Sequence, residues 1–107
     1  LVLGVLADKD VDGVLAALAP LADRAVAVTA DSQRALPGWQ LAARVATATG
    51  RPCYVADDVG DGLAQARRLC AAGDLVVVSG SFYTGGPALA ALGTVTAQPL
   101  SYTRGAR

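Results

Sequence analysis

The sequence predicts an α/β fold in which a parallel sheet lies between two layers of helices. Short, continuously apolar segments of strand length alternate with longer segments whose apolar residues recur at helical spacing. This alternation favours a Rossmann-like, three-layer parallel sheet with helices on both faces, because strand–helix–strand crossovers are right-handed. A length of 107 residues and an apolar content of 53% suit one packed domain.

The elements follow from these patterns in chain order. The predicted strands are residues 1–7, 25–29, 52–56 and 75–79. The predicted helices are residues 11–21, 39–49, 59–72 and 87–92. Asp10 or Asp12 is expected to cap the first helix, and the pair Asp57-Asp58 the third. Gly50 and Gly73 are expected to end the second and third helices.

The domain is expected to span residues 1–92, while residues 93–107 are expected to form an edge strand and a C-terminal tail. The chain contains no Met and opens inside a predicted strand. We therefore expect it to be a segment of a longer enzyme.

Composition excludes several classes of function. Nine Lys and Arg residues balance nine acidic residues, all Asp, so no basic face for nucleic acid is predicted. The absence of His excludes an imidazole base or a His metal ligand. Cys53 and Cys70 lie in separate apolar runs and are expected to be buried free thiols in a reducing cytoplasm. No apolar run reaches the length of a membrane span, and no signal peptide is visible.

Candidate binding residues follow the predicted strands, at the sheet edge where ligands bind in such folds. Those after the first, second and fourth strands are Asp8, Lys9, Asp10, Asp31, Ser32, Arg34, Ser79 and Ser81. Lys9 and Arg34 suit a carboxylate or phosphate, and seryl hydroxyls can donate to an anion. The same residues also fit a simpler interpretation: capping aspartates, a solvated lysine and an Asx turn beside a surface arginine.

Three stretches together resemble one known family. GVLADKDVDGVLAALAPL, residues 4–21, is similar to the start of the C-terminal domain of folylpolyglutamate synthase and dihydrofolate synthase, in the Mur ligase superfamily. VTADSQRALP, residues 28–37, resembles its SPRAL loop, and VVVSGSFY, residues 76–83, its VTGSLY turn. The resemblance covers residues 1–92. Gln33 stands where proline is usual and Ser79 where threonine is usual.

This resemblance implies the substrate-binding domain of an ATP-dependent ligase that adds glutamate to dihydropteroate or folates through an acyl phosphate. ATP and Mg²⁺ would bind to a preceding central domain of the same cytoplasmic, monomeric chain. The sequence has no GxxxxGK[ST] loop, so this domain alone is expected to bind neither tightly and to be inactive. The resemblance makes Lys9 and Arg34 partners of anionic groups, and Ser79 and Ser81 hydrogen-bond donors. The remaining candidates, Asp8, Asp10, Asp31 and Ser32, would orient these groups or the incoming amine.

Three alternatives stay open. A peptidoglycan Mur ligase has a similar C-terminal domain with a comparable DNPR loop. A stand-alone small-molecule binding module would bind glutamate or a folate without catalysis. A phospho-receiver domain also carries strand-end aspartates such as Asp8 and Asp57, but it needs a lysine after a fifth strand, and Lys9 is the only lysine here.

Overall fold

Four short parallel strands form the sheet that the sequence predicts. The computed structural model describes residues 1–80 and 86–89. The strands are β1 (Val2–Leu3), β2 (Val26–Ala27), β3 (Tyr54–Val55) and β4 (Val78–Ser79). Their spatial order is β3-β2-β1-β4, and all neighbours run parallel. Strand order therefore reverses between β1 and β4, because the chain first moves outward to β3 and then crosses to the other side of β1.

Helices cover both faces of this sheet, which confirms the predicted layers. The helices are α1 (Val11–Leu18), α2 (Gly38–Thr49) and α3 (Val59–Leu69). Alternate strand residues point to opposite faces. One buried cluster joins the sheet to α1 and α2 through Leu3, Val5, Ala25, Ala27, Val11, Leu15, Leu41 and Val45. A second joins it to α3 through Val2, Val26, Val28, Val59, Leu63 and Ala66.

The ends of α1 and α2 follow local chemistry. Asp10 caps α1 as predicted, since its Oδ1 accepts a hydrogen bond from the Gly13 backbone N at 3.0 Å. The prediction of one helix over residues 11–21 was too long. Ala19–Leu21 forms a 3₁₀ turn, because Pro20 has no N–H to continue the α-helical ladder. Helix α2 ends as predicted at Gly50, whose φ of 71° is left-handed.

Helix α3 begins as predicted and ends early. Asp58 caps it by accepting from the Asp61 backbone N at 2.8 Å. The prediction that the helix reaches residue 72 and ends at Gly73 was wrong, because the helix ends at Leu69. The Asp74 side chain accepts a hydrogen bond from the Ala71 N at 2.7 Å, and this local turn competes with the helical ladder.

Residues 86–89 are helical, where the sequence predicts the helix 87–92 to begin. Ala88 is buried in the cluster on the α3 face of the sheet. The rest of that helix and residues 93–107 lie outside the described residues. No helix in the described ranges combines the length and apolarity that crossing a membrane requires.

Helix α3 packs closely against the sheet at Gly62, and this packing predicts the effect of a substitution there. An alanine Cβ there would overlap Cγ1 of Val28, which is 0% exposed. Overpacking of this kind costs about 1–3 kcal/mol, and the helix propensity gained from replacing glycine offsets at most about 1 kcal/mol. We expect Gly62→Ala to lower the free energy of unfolding in urea titrations by about 1–2 kcal/mol.

Gly60→Ala is the matched control. Gly60 lies on the exposed side of the same helix, and a Cβ there would meet only Asp58 Oδ1, at 3.5 Å. This control should be neutral or stabilising. Equal stability of the two variants would contradict the close packing of α3 against Val28.

Candidate functional site

Two loops that are distant in sequence lie side by side at the carboxyl edge of the sheet. After β1 the chain continues outward, and the loop after β2 returns antiparallel beside it. The Leu36 N donates to the Val5 O at 2.9 Å, and the Ala7 N donates to the Arg34 O at 2.8 Å. Between these bonds, an isolated antiparallel bridge joins residues 6 and 35. This pairing ends the first strand earlier than predicted and brings two of the predicted binding segments together.

An ion pair between Asp8 and Arg34 forms where these loops meet. The Arg34 guanidinium donates to Asp8 Oδ2 at 2.6 Å, and both side chains are 56% exposed. This hydrogen bond, together with the positive charges of Arg34 and Lys9, holds the pKa of the Asp8 carboxyl below its ordinary value. Exposed ion pairs contribute little to folding stability. The pair therefore presents a positive and a negative group to the solvent with little consequence for the fold.

The turn before Arg34 is held by two hydrogen bonds that Ser32 accepts. The Ser32 Oγ accepts from the Arg34 N at 3.1 Å, and the Ser32 O accepts from the Ala35 N at 3.1 Å. These bonds close the turn around Gln33, the position where the resembled family has proline. Ser32 thus acts on the backbone that carries the arginine, as serine commonly does in turns.

The remaining residues after β1 and β2 are separated in their contacts. The Asp10 side chain is directed to the first turn of α1, so its observed role is the capping that the simpler interpretation gave it. Lys9 and Asp31 are exposed, and neither side chain forms an ion pair with any described residue. Of the first two predicted segments, the structure thus joins Asp8 to Arg34 and leaves the Lys9 ammonium available to a ligand.

The ends of β1 and β4 touch through their backbones. The Gly4 N donates to the Ser79 O at 3.3 Å. Gly80 has a φ of 125°, and a Cβ at this residue would overlap the Gly4 carbonyl. Only glycine fits there, so the end of β4 can approach the backbone of β1 directly at the reversal of strand order. Ser79 is half-buried at this point, and Ser81 lies outside the described residues.

Sequence reasoning missed Thr29. This half-buried residue follows β2, and its Oγ1 accepts from the Gly38 N at the start of α2, at 2.9 Å. Helix α2 has Pro37 at its N-cap position, and the proline side chain offers no acceptor for the N–H groups of the helix. Pro37 cannot cap a helix, and this was the one signal in the sequence that another residue must do so. Nothing near Pro37 in the sequence indicated that this residue is Thr29.

The two cysteines are half-buried free thiols, which corrects the prediction that they are buried. Burial raises the pKa of the Cys53 thiol, and its Sγ contacts the Tyr54 O at 3.3 Å. The neutral thiol is therefore favoured at this position. Cys53 directly precedes β3, so it lies at the amino end of that strand and away from the ion pair. We assign it no chemistry.

A groove of about 430 Å³ opens at the opposite, amino-terminal ends of the strands. Its walls include Leu21 and Leu75, which are 80% and 83% exposed. In the part of the chain that the structure describes, the candidate site at the carboxyl edge is defined by its charges and by the strand order.

Solved structures of one enzyme resemble this fold closely. Mycobacterium tuberculosis folylpolyglutamate synthase complexed with ADP and AMPPCP aligns with a TM-score of 0.77 at 37% identity, over 86% of this chain and 23% of that one. A structure of the same enzyme with ADP aligns with a TM-score of 0.74 at 35% identity, over 92% and 24% respectively. The chain thus spans about a quarter of the enzyme it matches. No curated protein matches the sequence significantly.

The family comparison agrees with the resemblance that the sequence motifs indicated. Residues 1–82 match the family described as Mur ligase, glutamate ligase domain. That match includes both loops of the ion pair and the contact between Gly4 and Gly80. Since it accounts for most of the 107 residues, the chain belongs to the Mur ligase family, as a glutamate ligase domain.

Proposed function

We propose that this domain supplies the amino-acid-binding wall of an ATP-dependent ligase that adds glutamate to dihydropteroate or folates through an acyl phosphate. The observation that carries the proposal is the exposed pair of Asp8 and Arg34 at the carboxyl edge of the sheet. The identity of 35–37% to folylpolyglutamate synthase supports folates over a peptidoglycan precursor as the acceptor.

The pair complements the two charges of a free amino acid. Arg34 presents a planar fork that can hold a carboxylate with two parallel hydrogen bonds. Asp8 presents an acceptor to the amino group. Without substrate the two side chains satisfy one another at 2.6 Å, and an arriving zwitterion exchanges one ion pair for two. Both charges of the pair are already exposed, so neither has to be brought out of the protein interior before an amino acid binds.

The ordinary acidity of an aspartate limits the role of Asp8. With or without its arginine partner, an aspartate carboxylate is a weak base, because efficient general bases have a pKa near the working pH. Asp8 therefore orients the amine by accepting its hydrogen bond, and it does not remove the proton that the amine loses on attacking the acyl phosphate. The domain contributes positioning rather than proton transfer.

The other predicted residues are given supporting roles in this proposal. The Lys9 ammonium stabilises the negative charge that develops on the phosphoryl group. Asp31 adds an exposed hydrogen-bond acceptor after β2. Ser79 donates to the substrate from the reversal of strand order, and the resemblance gives Ser81 the same role as a donor. Asp10 and Ser32 act indirectly: the Asp10 side chain caps the helix that follows Lys9, and the Ser32 side chain holds the turn that carries Arg34.

We assign no site for ATP or Mg²⁺ to the described residues of this chain. In the described ranges, no three side chains of the metal-binding types lie close enough to hold an ion. The sequence also has no phosphate loop. We therefore assign nucleotide and metal to a preceding ATP-binding domain of the same polypeptide. The present domain closes over that site and excludes water from the acyl phosphate.

Substitution of Arg34 in the full-length ligase tests the proposal. Loss of a charge-assisted pair should raise the apparent KM for glutamate by about 10- to 100-fold in Arg34→Ala. Arg34→Lys should recover only part of this, because an ammonium lacks the fork. Steady-state ligation with glutamate as the varied substrate measures both, and a parallel panel with a muramyl nucleotide tests the peptidoglycan alternative.

Arg44→Ala is the matched control for Arg34→Ala. Arg44 forms an equally short pair with Asp12, at 2.6 Å, between α2 and α1. Its removal should leave the KM for glutamate unchanged. If Arg34→Ala and Arg44→Ala both behave like the parent enzyme, the proposed role of the pair is wrong.

The Asp8–Arg34 hydrogen bond also predicts a titration. The Asp8 pKa is lower in the folded than in the unfolded chain, so its stabilising effect is present above the unfolded pKa and disappears as the pH falls through the folded pKa. Carboxyl-carbon NMR of the 107-residue chain should find Asp8 titrating below ordinary aspartates. In Arg34→Ala its pKa should rise toward the ordinary value, and an unchanged pKa would show that the pair does not form in solution.

A further inference from the structure

We infer that Thr29 is a positioning residue for Arg34, an inference that rests on the proposed function. Thr29 lies two residues after the end of β2, next to Val28, which is 0% exposed. Its Oγ1 accepts a hydrogen bond from the Gly38 N at 2.9 Å, across a sequence separation of 9 residues. The bond therefore joins the two ends of the loop 30–37, on which Arg34 stands.

Helix α2 needs this bond because it has no local cap. The first N–H groups of a helix have no partner within the helix, and a Ser, Thr, Asp or Asn at the N-cap usually satisfies one of them. Pro37 occupies that position and has no such group. Thr29 satisfies the Gly38 N–H from the preceding strand instead, so one hydroxyl both caps the helix and attaches it to the sheet.

The start of α2 is packed closely against the sheet. A Cβ on Gly38 would lie 3.2 Å from the Val28 carbonyl carbon and 3.3 Å from the carbonyl oxygens of Ala27 and Ala56. The start of α2 is therefore seated directly on the backbones of β2 and β3. A side chain on Gly38 would be crowded by these backbone atoms.

The attachment reaches Arg34 through the loop backbone. On one side, the Arg34 O and the Leu36 N are bonded to the continuation of β1. On the other side, Pro37 connects Leu36 to Gly38, whose N–H donates to the Thr29 Oγ1. Removal of the Thr29 hydroxyl frees this second side, and the guanidinium then samples more positions. Bidentate recognition tolerates displacements of only about 0.5 Å.

Thr29→Val in the full-length ligase removes the acceptor and keeps the shape of the side chain. We expect the apparent KM for glutamate to rise about two- to tenfold, the range for one lost hydrogen bond, with a smaller change in kcat. Thr29→Ser retains the hydroxyl and should restore the parental KM. Thr29→Ala removes the same acceptor and serves if the valine variant does not fold.

Thr47→Val is the matched control. The Thr47 hydroxyl bonds to the Ala43 O at 3.0 Å within α2, on its exposed side, and does not contact the loop. Asp58→Ala is a second control, because it removes a helix cap of similar kind from α3. Both should leave the KM for glutamate unchanged even where thermal denaturation shows a loss of stability.

The double variant Thr29→Val/Arg34→Ala separates positioning from a purely structural role. If Thr29 acts through Arg34, its substitution should add nothing to the KM once Arg34 is absent. An equal effect of Thr29→Val with and without Arg34 would overturn the inference, as would a parental KM in Thr29→Val. A parental KM in Arg34→Ala would instead overturn the proposed function, and the inference with it.

Discussion

The antiparallel contact between the continuation of β1 and the loop after β2 is the constraint on which the candidate site depends. Two backbone hydrogen bonds, from Ala7 to Arg34 and from Leu36 to Val5, set the register of this contact. That register places the Asp8 carboxylate opposite the Arg34 guanidinium. Because Leu36 is 8% exposed and packs into the core beside α1 and α2, the loop is anchored from within the domain while its charged side chain stays in solvent. The backbone of the loop is thus anchored, while the charged side chains of the site are exposed.

The sheet provides the frame that this contact needs. Residues of β1 and β2 alternate between the cluster beneath α1 and α2 and the cluster beneath α3, so both faces are buried and a shift of one residue would exchange them. At the reversal of strand order, the close approach of Gly80 to Gly4 brings β4 against β1 without intervening side chains. The continuation of β1 therefore lies between the loop that carries Arg34 on one side and the end of β4 on the other.

Local signals in the sequence predicted the elements, and non-local contacts decided what the sequence could not predict. The alternation of apolar runs identified four strands and the sheet, and Asp10, Asp58 and Gly50 marked helix ends through chemistry that acts within one turn. The end of α3 was misplaced because the Asp74 side chain competes for the Ala71 N–H, which propensity does not report. The pairing of residues 34–36 with residues 5–7 joins segments far apart in sequence, and no periodic pattern encodes it. For the same reason the sequence suggested Asp8 and Arg34 as candidates but could not show that they touch.

The exposure of the Asp8–Arg34 pair has a consequence for how the proposed ligase works. In water, an amino acid gains little from charges that stand more than half exposed, because the solvent screens them. The same charges act far more strongly once a facing domain removes the water, since the effective dielectric constant falls. On the proposed function, the domain would therefore bind glutamate weakly when the cleft is open and strongly when it is closed. Closure then couples substrate binding to the exclusion of water from the acyl phosphate, and a pair that contributes little to folding becomes effective only in the assembled site.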